Sequence, residues 1–123
     1  MSTIKTETLS TPSNATVPVD TVVNGTAKAW VNFNGSGTVA IRRAFNVSSI
    51  TDEGTGQYAV NFTNALVDDS YIMTHSSGNE GSTTTARAAC RNGNWTTTQC
   101  QFRNRSVTNN DTDDEYIGVA IFS

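Results

Sequence analysis

From residue 25 onward, apolar and polar side chains alternate with a period of two. Ala29, Val31 and Phe33 alternate with Trp30 and Asn32. Val39 and Ile41 follow a glycine-containing turn at Asn34-Gly35-Ser36-Gly37, and Phe45, Val47 and Ile50 come next. After a second turn, Asp52-Glu53-Gly54-Thr55-Gly56, the residues Tyr58, Val60 and Phe62 alternate with Gln57, Ala59, Asn61 and Thr63. A period of two places one face of each strand in a core and the other in water.

The flanks are less regular. Residues 2–9 hold a short run with Ile4 and Leu9 among Thr, Lys and Glu. Residues 10–24 are rich in Ser, Thr and Asn and contain Pro12 and Pro18, which favour extended geometry at and before each ring. Residues 1–24 therefore read as an extended arm, not a helix, that either docks on a neighbouring subunit or hangs free. Residues 64–70 are a connection with room for one helical turn, residues 71–75 a strand, and residues 76–85 a polar, exposed loop. Two short strands, 86–90 and 99–103, flank a turn. A reversal at Asn92-Gly93 would not pair Cys90 with Cys100, whereas one centred near Trp95 would. Residues 107–115 are polar and acidic. The final run, residues 116–122, is almost continuously apolar, as in a central strand buried on both faces or one sealed against another subunit. Many short strands with turn chemistry between them predict an all-β, small antiparallel sandwich or jelly-roll-like module over residues 25–123.

Several of these runs carry longer words. Ala27-Lys28-Ala29-Trp30-Val31-Asn32-Phe33-Asn34-Gly35, Phe45-Asn46-Val47-Ser48-Ser49-Ile50-Thr51-Asp52, Gly54-Thr55-Gly56 and Val60-Asn61-Phe62 closely resemble a short module of tailed-bacteriophage virion proteins of the tail-fibre or fibre-like type. The opening Met1-Ser2-Thr3-Ile4-Lys5 resembles the start of such proteins. The resemblance implies a homotrimer on the virion surface, made in the host cytoplasm and in contact with other virion proteins. Its arm would attach to the particle through Ile4, Leu9, Val17 and Val19.

Composition narrows the remaining functions. The chain has 123 residues, one domain's worth, and is only 36% hydrophobic. A sparse core predicts that some apolar surface is covered between subunits. A net charge of −3 and scattered basic residues argue against a nucleic-acid partner, leaving Arg42-Arg43 and Arg103-Asn104-Arg105 as solvated strand ends. No apolar run reaches the roughly 20 residues needed to enter and span a bilayer. No secretory signal is expected, because the N-terminus lacks an apolar segment. No cofactor is implied.

Candidate chemistry is thin. His75 is the only histidine, and Met73-Thr74-His75-Ser76-Ser77 resembles no nucleophile elbow, so it reads as a strand-end residue. Cys90 and Cys100 either form a disulfide in an oxidised particle or stay as buried thiols; two cysteines and one histidine are too few for structural zinc. Asp111, Asp113, Asp114 and Glu115 lack the glycine and distal glutamate of a calcium loop and read as solvated. Asp52-Glu53 and Asp68-Asp69 read as turn residues.

Aromatic faces stack on sugars, so Trp30, Trp95, Tyr58, Tyr71 and Tyr116 are candidate contacts for a host-surface polysaccharide. Trp30 lies on the strand face opposite Val31, exposed or covered by a subunit. Trp95, with Asn92 and Asn94 at a loop tip, is the leading candidate for a receptor contact.

The expected function is that of a non-enzymatic virion protein of the adsorption apparatus, whose loops 76–85, 91–98 and 107–115 face outward. A capsid decoration (cement) or head-fibre protein is the alternative, suited to a short chain that opens at Met1 rather than to the tip of a long fibre polypeptide. A polysaccharide depolymerase would need paired carboxylates in a groove, which no pattern places.

Overall fold

The computed structural model describes residues 2–81, 87–93 and 95–123. Strands β3 (Ala29–Asn34), β4 (Ala40–Phe45), β7 (Ile72–Gly78) and β10 (Tyr116–Phe122) form a four-stranded antiparallel sheet in the order β4-β3-β10-β7. Strands β5 (Val47–Gly54), β6 (Gln57–Phe62), β8 (Arg87–Arg91) and β9 (Gln99–Ser106) form a second, ordered β5-β6-β9-β8. The two sheets pack into the expected all-β antiparallel sandwich.

The alternating residues make its core. β3 contributes Ala29, Val31 and Phe33; β6 contributes Tyr58, Val60 and Phe62; β9 contributes Cys100 and Phe102; β10 contributes Ile117, Val119 and Ile121. Phe33 stands edge-on to Tyr58 at 5.2 Å and to Phe102 at 6.5 Å, so aromatic packing joins the sheets at the centre. The second sheet's outer face is polar. There Asn61 donates to Ser49 Oγ and Thr51 Oγ1 and accepts from Gln99.

β10 is an interior strand, as its apolar run suggests, but within this chain only one of its faces is buried. Ile117, Val119 and Ile121 point inward, while Tyr116 is exposed and Gly118, Ala120 and Phe122 are half-buried on the outer side. β7 is longer than its apolar residues indicate. Pairing with β10 carries it through Ser76, Ser77 and Gly78, which the polar pattern had placed in a loop. Residues 79–81 of that expected loop lie in or beside a turn, and its residues 82–85, like residue 86 of the expected following strand, lie outside the described residues. Residues 64–70 contain no helical turn. They are held instead by Leu66, which is buried and whose N–H donates to Thr97 O at 2.8 Å.

The arm is not extended. β1 (Thr8–Ser10) and β2 (Thr16–Pro18) form a hairpin with Leu9 opposite Val17, and helix α1 (Val19–Gly25) follows directly. Neither proline forbids this. Pro12 sits in the hairpin turn, and Pro18 immediately precedes the helix, where its fixed φ and missing N–H cost nothing. α1 buries none of its residues. The arm packs mainly on itself, β2 against β1 and α1, and α1 borders the sandwich where Val22 and Val23 line a hollow with Lys28 and Phe45.

The chain passes from one sheet to the other between β4 and β5 at Asn46 alone, with φ at +53°. Its side chain accepts from Asn64 N–H at 2.8 Å and donates to Lys28 O and Asn64 O, and its carbonyl accepts from Thr63 N–H. Asparagine tolerates the left-handed region, and its amide ties three segments at this corner. Asn46→Ala should therefore lose about 3 kcal/mol, from several modest hydrogen bonds and left-handed strain, whereas Asn46→Gly should lose about half as much. Urea unfolding midpoints of the two variants against the parent measure this.

Candidate functional site

The acidic segment is locked into the fold rather than solvated. Asp114 is fully buried, and Arg87 on β8 grips it from two nitrogens, Nε to Oδ2 at 2.7 Å and Nη2 to Oδ1 at 2.9 Å. Asn104 Nδ2 donates to Asp114 Oδ2 at 2.7 Å, Asn79 Nδ2 to Oδ1 at 3.0 Å, and Ser77 Oγ to Asn104 Oδ1 at 2.7 Å. Burial works to raise the Asp114 pKa, but the Arg87 and Asn104 bonds outweigh it and hold the carboxyl below its ordinary value.

Asp113 accepts from Gly56 N–H and from Tyr58 O–H, each at 2.7 Å. Asp111 accepts from Arg105 Nε at 2.7 Å, with Arg103 Nη1 3.7 Å away. Arg103, Asn104 and Arg105 are therefore not free strand ends. Among the described residues no group of three or more potential ligands gathers into a metal site. The carboxylates of this segment already have cationic or N–H partners. Sequence order hides this because Arg87 and Asp114 are 27 residues apart.

Trp95 is not a free loop tip. Its ring stacks on Tyr71 at 4.8 Å with planes 5° apart, the Arg91 guanidinium lies 4.7 Å from its centroid, and its N–H donates to Gln101 O at 2.7 Å. It is a partly buried extension of the core, and Tyr71 and Tyr58 are buried within that core. Asn92 is half-buried, its N–H bonded to Gln101 O. Asn94 lies outside the described residues.

The cysteines form no disulfide. β8 and β9 pair Cys90 with Arg103, so Cys90 and Cys100 fall on opposite faces of the sheet. The reversal centres between Thr96 and Thr97, at neither of the expected positions. Cys90 is an exposed thiol and Cys100 a buried one. Burial pushes the Cys100 thiol up to about 12, which leaves it protonated and inert.

His75 sits mid-strand on β7 rather than at a strand end. It faces the core edge-on to Phe102 at 5.8 Å, and its Nε2 is buried without a hydrogen-bond partner. Burial lowers its pKa below 6.5, against smaller raising contributions from Asn104 and Asp114. Ile4 and Leu9 of the arm are exposed, and Val17 and Val19 are half-buried within its own small fold.

The surface that remains open and aromatic is the outer face of the β4-β3-β10-β7 sheet. Strand register lays Phe45, Trp30, Ala120 and Thr74 in one row across it, and Arg43, Asn32, Gly118 and Ser76 in the next. Tyr116 stands further along β10. Two adjoining hollows of about 460 and 300 Å³ run over this face and share Asn32, Ser76 and Gly118. The Arg42 guanidinium lies 4.3 Å from the Tyr116 centroid and that of Arg43 5.9 Å from Trp30. Alternation along β3 already placed Trp30 opposite Val31. The arginines gave no such signal, because a bulge between Asn32 and Phe33 sets how β4 presents them.

Comparisons with protein-family models, with curated proteins and with solved structures return no match for this chain.

The titration of His75 has a definite sign. A histidine whose folded pKa lies below its unfolded value leaves the unfolded chain binding more protons. Stability is therefore full above pH 6.5 and falls as pH drops from 6.5 toward the lowered folded value. The lowered Asp114 pKa removes stability in a separate window, as pH falls through and below 3.8. Urea midpoints measured from neutral pH down to about pH 3 should decline in both windows, and His75→Gln should flatten only the upper one. An unchanged upper slope in His75→Gln would assign it to another group.

Proposed function

We propose that the chain is a non-enzymatic structural protein of a bacteriophage virion, a fibre-like surface module of the tail adsorption apparatus. The observation that carries this reading is the division of labour between arm and body. The sandwich encloses its own core, and the arm folds on itself with Ile4 at 91% exposure, Val23 at 52% and Leu9 at 48%; the body also leaves Val67, Val107, Ile72 and Phe45 in water. Exposed apolar groups on a small appended element need a partner surface. Here that surface is another virion protein or a neighbouring copy in a homotrimer.

Lys28 tethers the arm to the body, donating to the carbonyls of Val23 and Thr26 at the end of α1. The sequence words shared with fibre-like modules support the same reading, since they cover β3, the β4–β5 corner and β6. The outward-facing recognition surface in this reading is the β4-β3-β10-β7 sheet, with its half-exposed aromatics, rather than the Trp95 loop.

The self-contained sandwich and folded arm also suit a decoration or head-fibre protein attached to the capsid, which differs in where the arm docks.

Immunogold labelling of intact virions with antibody to the sandwich tests the proposal. Gold at the tail is the expected result. Gold over the head selects the decoration protein, and purified virions without gold at any exposed surface would overturn both.

A further inference from the structure

We infer that the groove on the outer face of the β4-β3-β10-β7 sheet binds a carboxylate-bearing oligosaccharide. Its sugar rings lie on Trp30 and Tyr116, and its carboxylates meet Arg42 and Arg43. This deepens the adsorption reading and rests on it for biological meaning, but the binding chemistry stands on the groove alone.

Four features converge there. The first is shape. The two joined hollows, about 460 and 300 Å³, fall in the size range of ligand sites. They run along the strands rather than ending in a closed pocket, which suits a chain-like ligand. Trp30 lies beside Ala120, four residues along β10 from Tyr116, so the two rings are offset by about 13 Å along the strand. That offset spans several sugar rings of an extended oligosaccharide.

The second is aromatic surface. Tyr116 is 45% exposed in a strand whose alternate residues are fully buried. An electron-rich ring face attracts the C–H face of a pyranose as it attracts the positive edge of another ring.

The third is charge. Arg42 and Arg43 make no ion pair among the described residues of a chain whose net charge is −3. Each guanidinium instead lies against one of the two groove aromatics, and Arg42 Nη1 also donates to Asn32 Oδ1 at 3.3 Å. A guanidinium beside a ring keeps N–H groups in the fork geometry that fits a carboxylate. Glu80 lines the far end of the larger hollow and directs the carboxylates toward the arginine side.

The fourth is Gly118. Glycine in the middle of an interior strand weakens it and marks a place where something approaches the backbone closely. A Cβ at Gly118 would meet Ser76 Oγ at 2.8 Å. The glycine keeps the groove floor low between the two aromatics. A second copy meeting this face across a two-fold axis would instead bring arginine pairs together, and like charges oppose such a contact.

The test uses the purified full chain and a galacturonic acid hexamer, with the fully methyl-esterified hexamer as its uncharged counterpart. Binding is followed by tryptophan fluorescence and calorimetry. The acid hexamer should bind about tenfold more tightly than the ester at low salt, and the difference should shrink at high salt. The Arg42→Gln/Arg43→Gln double variant should lose the preference for the acid, binding it no more tightly than the ester. Trp30→Ala should weaken both by about tenfold. These positions lie on the outer face, and circular dichroism verifies that the variants fold.

Equal affinity for acid and ester, parental affinity in the double arginine variant, or no binding of either hexamer would overturn the inference. So would a parental oligomer that Trp30→Ala dissociates, which would make the face a subunit interface. Gold on the virion tail with no hexamer binding removes this inference and leaves the adsorption role; hexamer binding with no gold on the virion removes the adsorption role and leaves the site.

Discussion

A buried carboxylate can persist in a small sandwich only if it is paired, and the Asp114–Arg87 contact meets that requirement. Removing a charge from water costs several kcal/mol, more than one ordinary hydrogen bond returns. Asp114 recovers it through two bonds from Arg87, one from Asn104 and one from Asn79. These partners come from β8, β9 and the end of β7, so one side chain ties edge and interior strands of both sheets. The Asp114 carbonyl also accepts from Gly35 N–H at 2.9 Å, which fixes the far end of β3. Tyr116 enters β10 two residues later. The register of β10 against β3, and with it the placement of Tyr116 and Gly118 on the outer face, follows from this lock.

The two outer faces of the sandwich have opposite characters. On the β5-β6-β9-β8 sheet, Asn61, Gln99, Ser49 and Thr51 bond to each other and present a wet polar ladder. On the other sheet, Trp30, Tyr116 and Phe45 stand among small residues, and two arginines lie against the rings. The low hydrophobic content of the chain does not mean a weak core, because the core positions on β3, β6 and β10 are filled almost without exception. Its remaining apolar side chains lie on this face, on the arm and on loops, where Val67 and Val107 are exposed.

Alternation made the fold legible, because burial in a sandwich is a strand-by-strand property with a local signature. Val31 and Phe33, Val60 and Phe62, and Ile117 and Val119 all face the core as their spacing requires. What failed depends on partners distant in the chain. Asp111, Asp113 and Asp114 look like a solvated acidic loop until Arg105, Tyr58 and Arg87 are brought to them. Trp95 looks like an exposed tip until Tyr71, separated from it in sequence by β7 and β8, supplies a stacking face. The prolines suggested an extended arm, yet Pro18 caps the helix with extended backbone of its own, just ahead of the first helical residue, and does not interrupt it. The cysteine pairing turned on a hairpin centre that local turn signals placed wrongly by one to several residues.

The account turns on the Asp114–Arg87 lock, and a double-mutant cycle tests it most directly. Asp114→Ala and Arg87→Ala are each expected to lose about 3–5 kcal/mol, because each leaves a buried partner unsatisfied. The double variant is expected to lose clearly less than their sum, with a coupling of at least about 1.5 kcal/mol. Single losses below about 0.5 kcal/mol, or strictly additive ones, would show that the pair does not hold the sandwich together and that β10 takes its register from the apolar core alone.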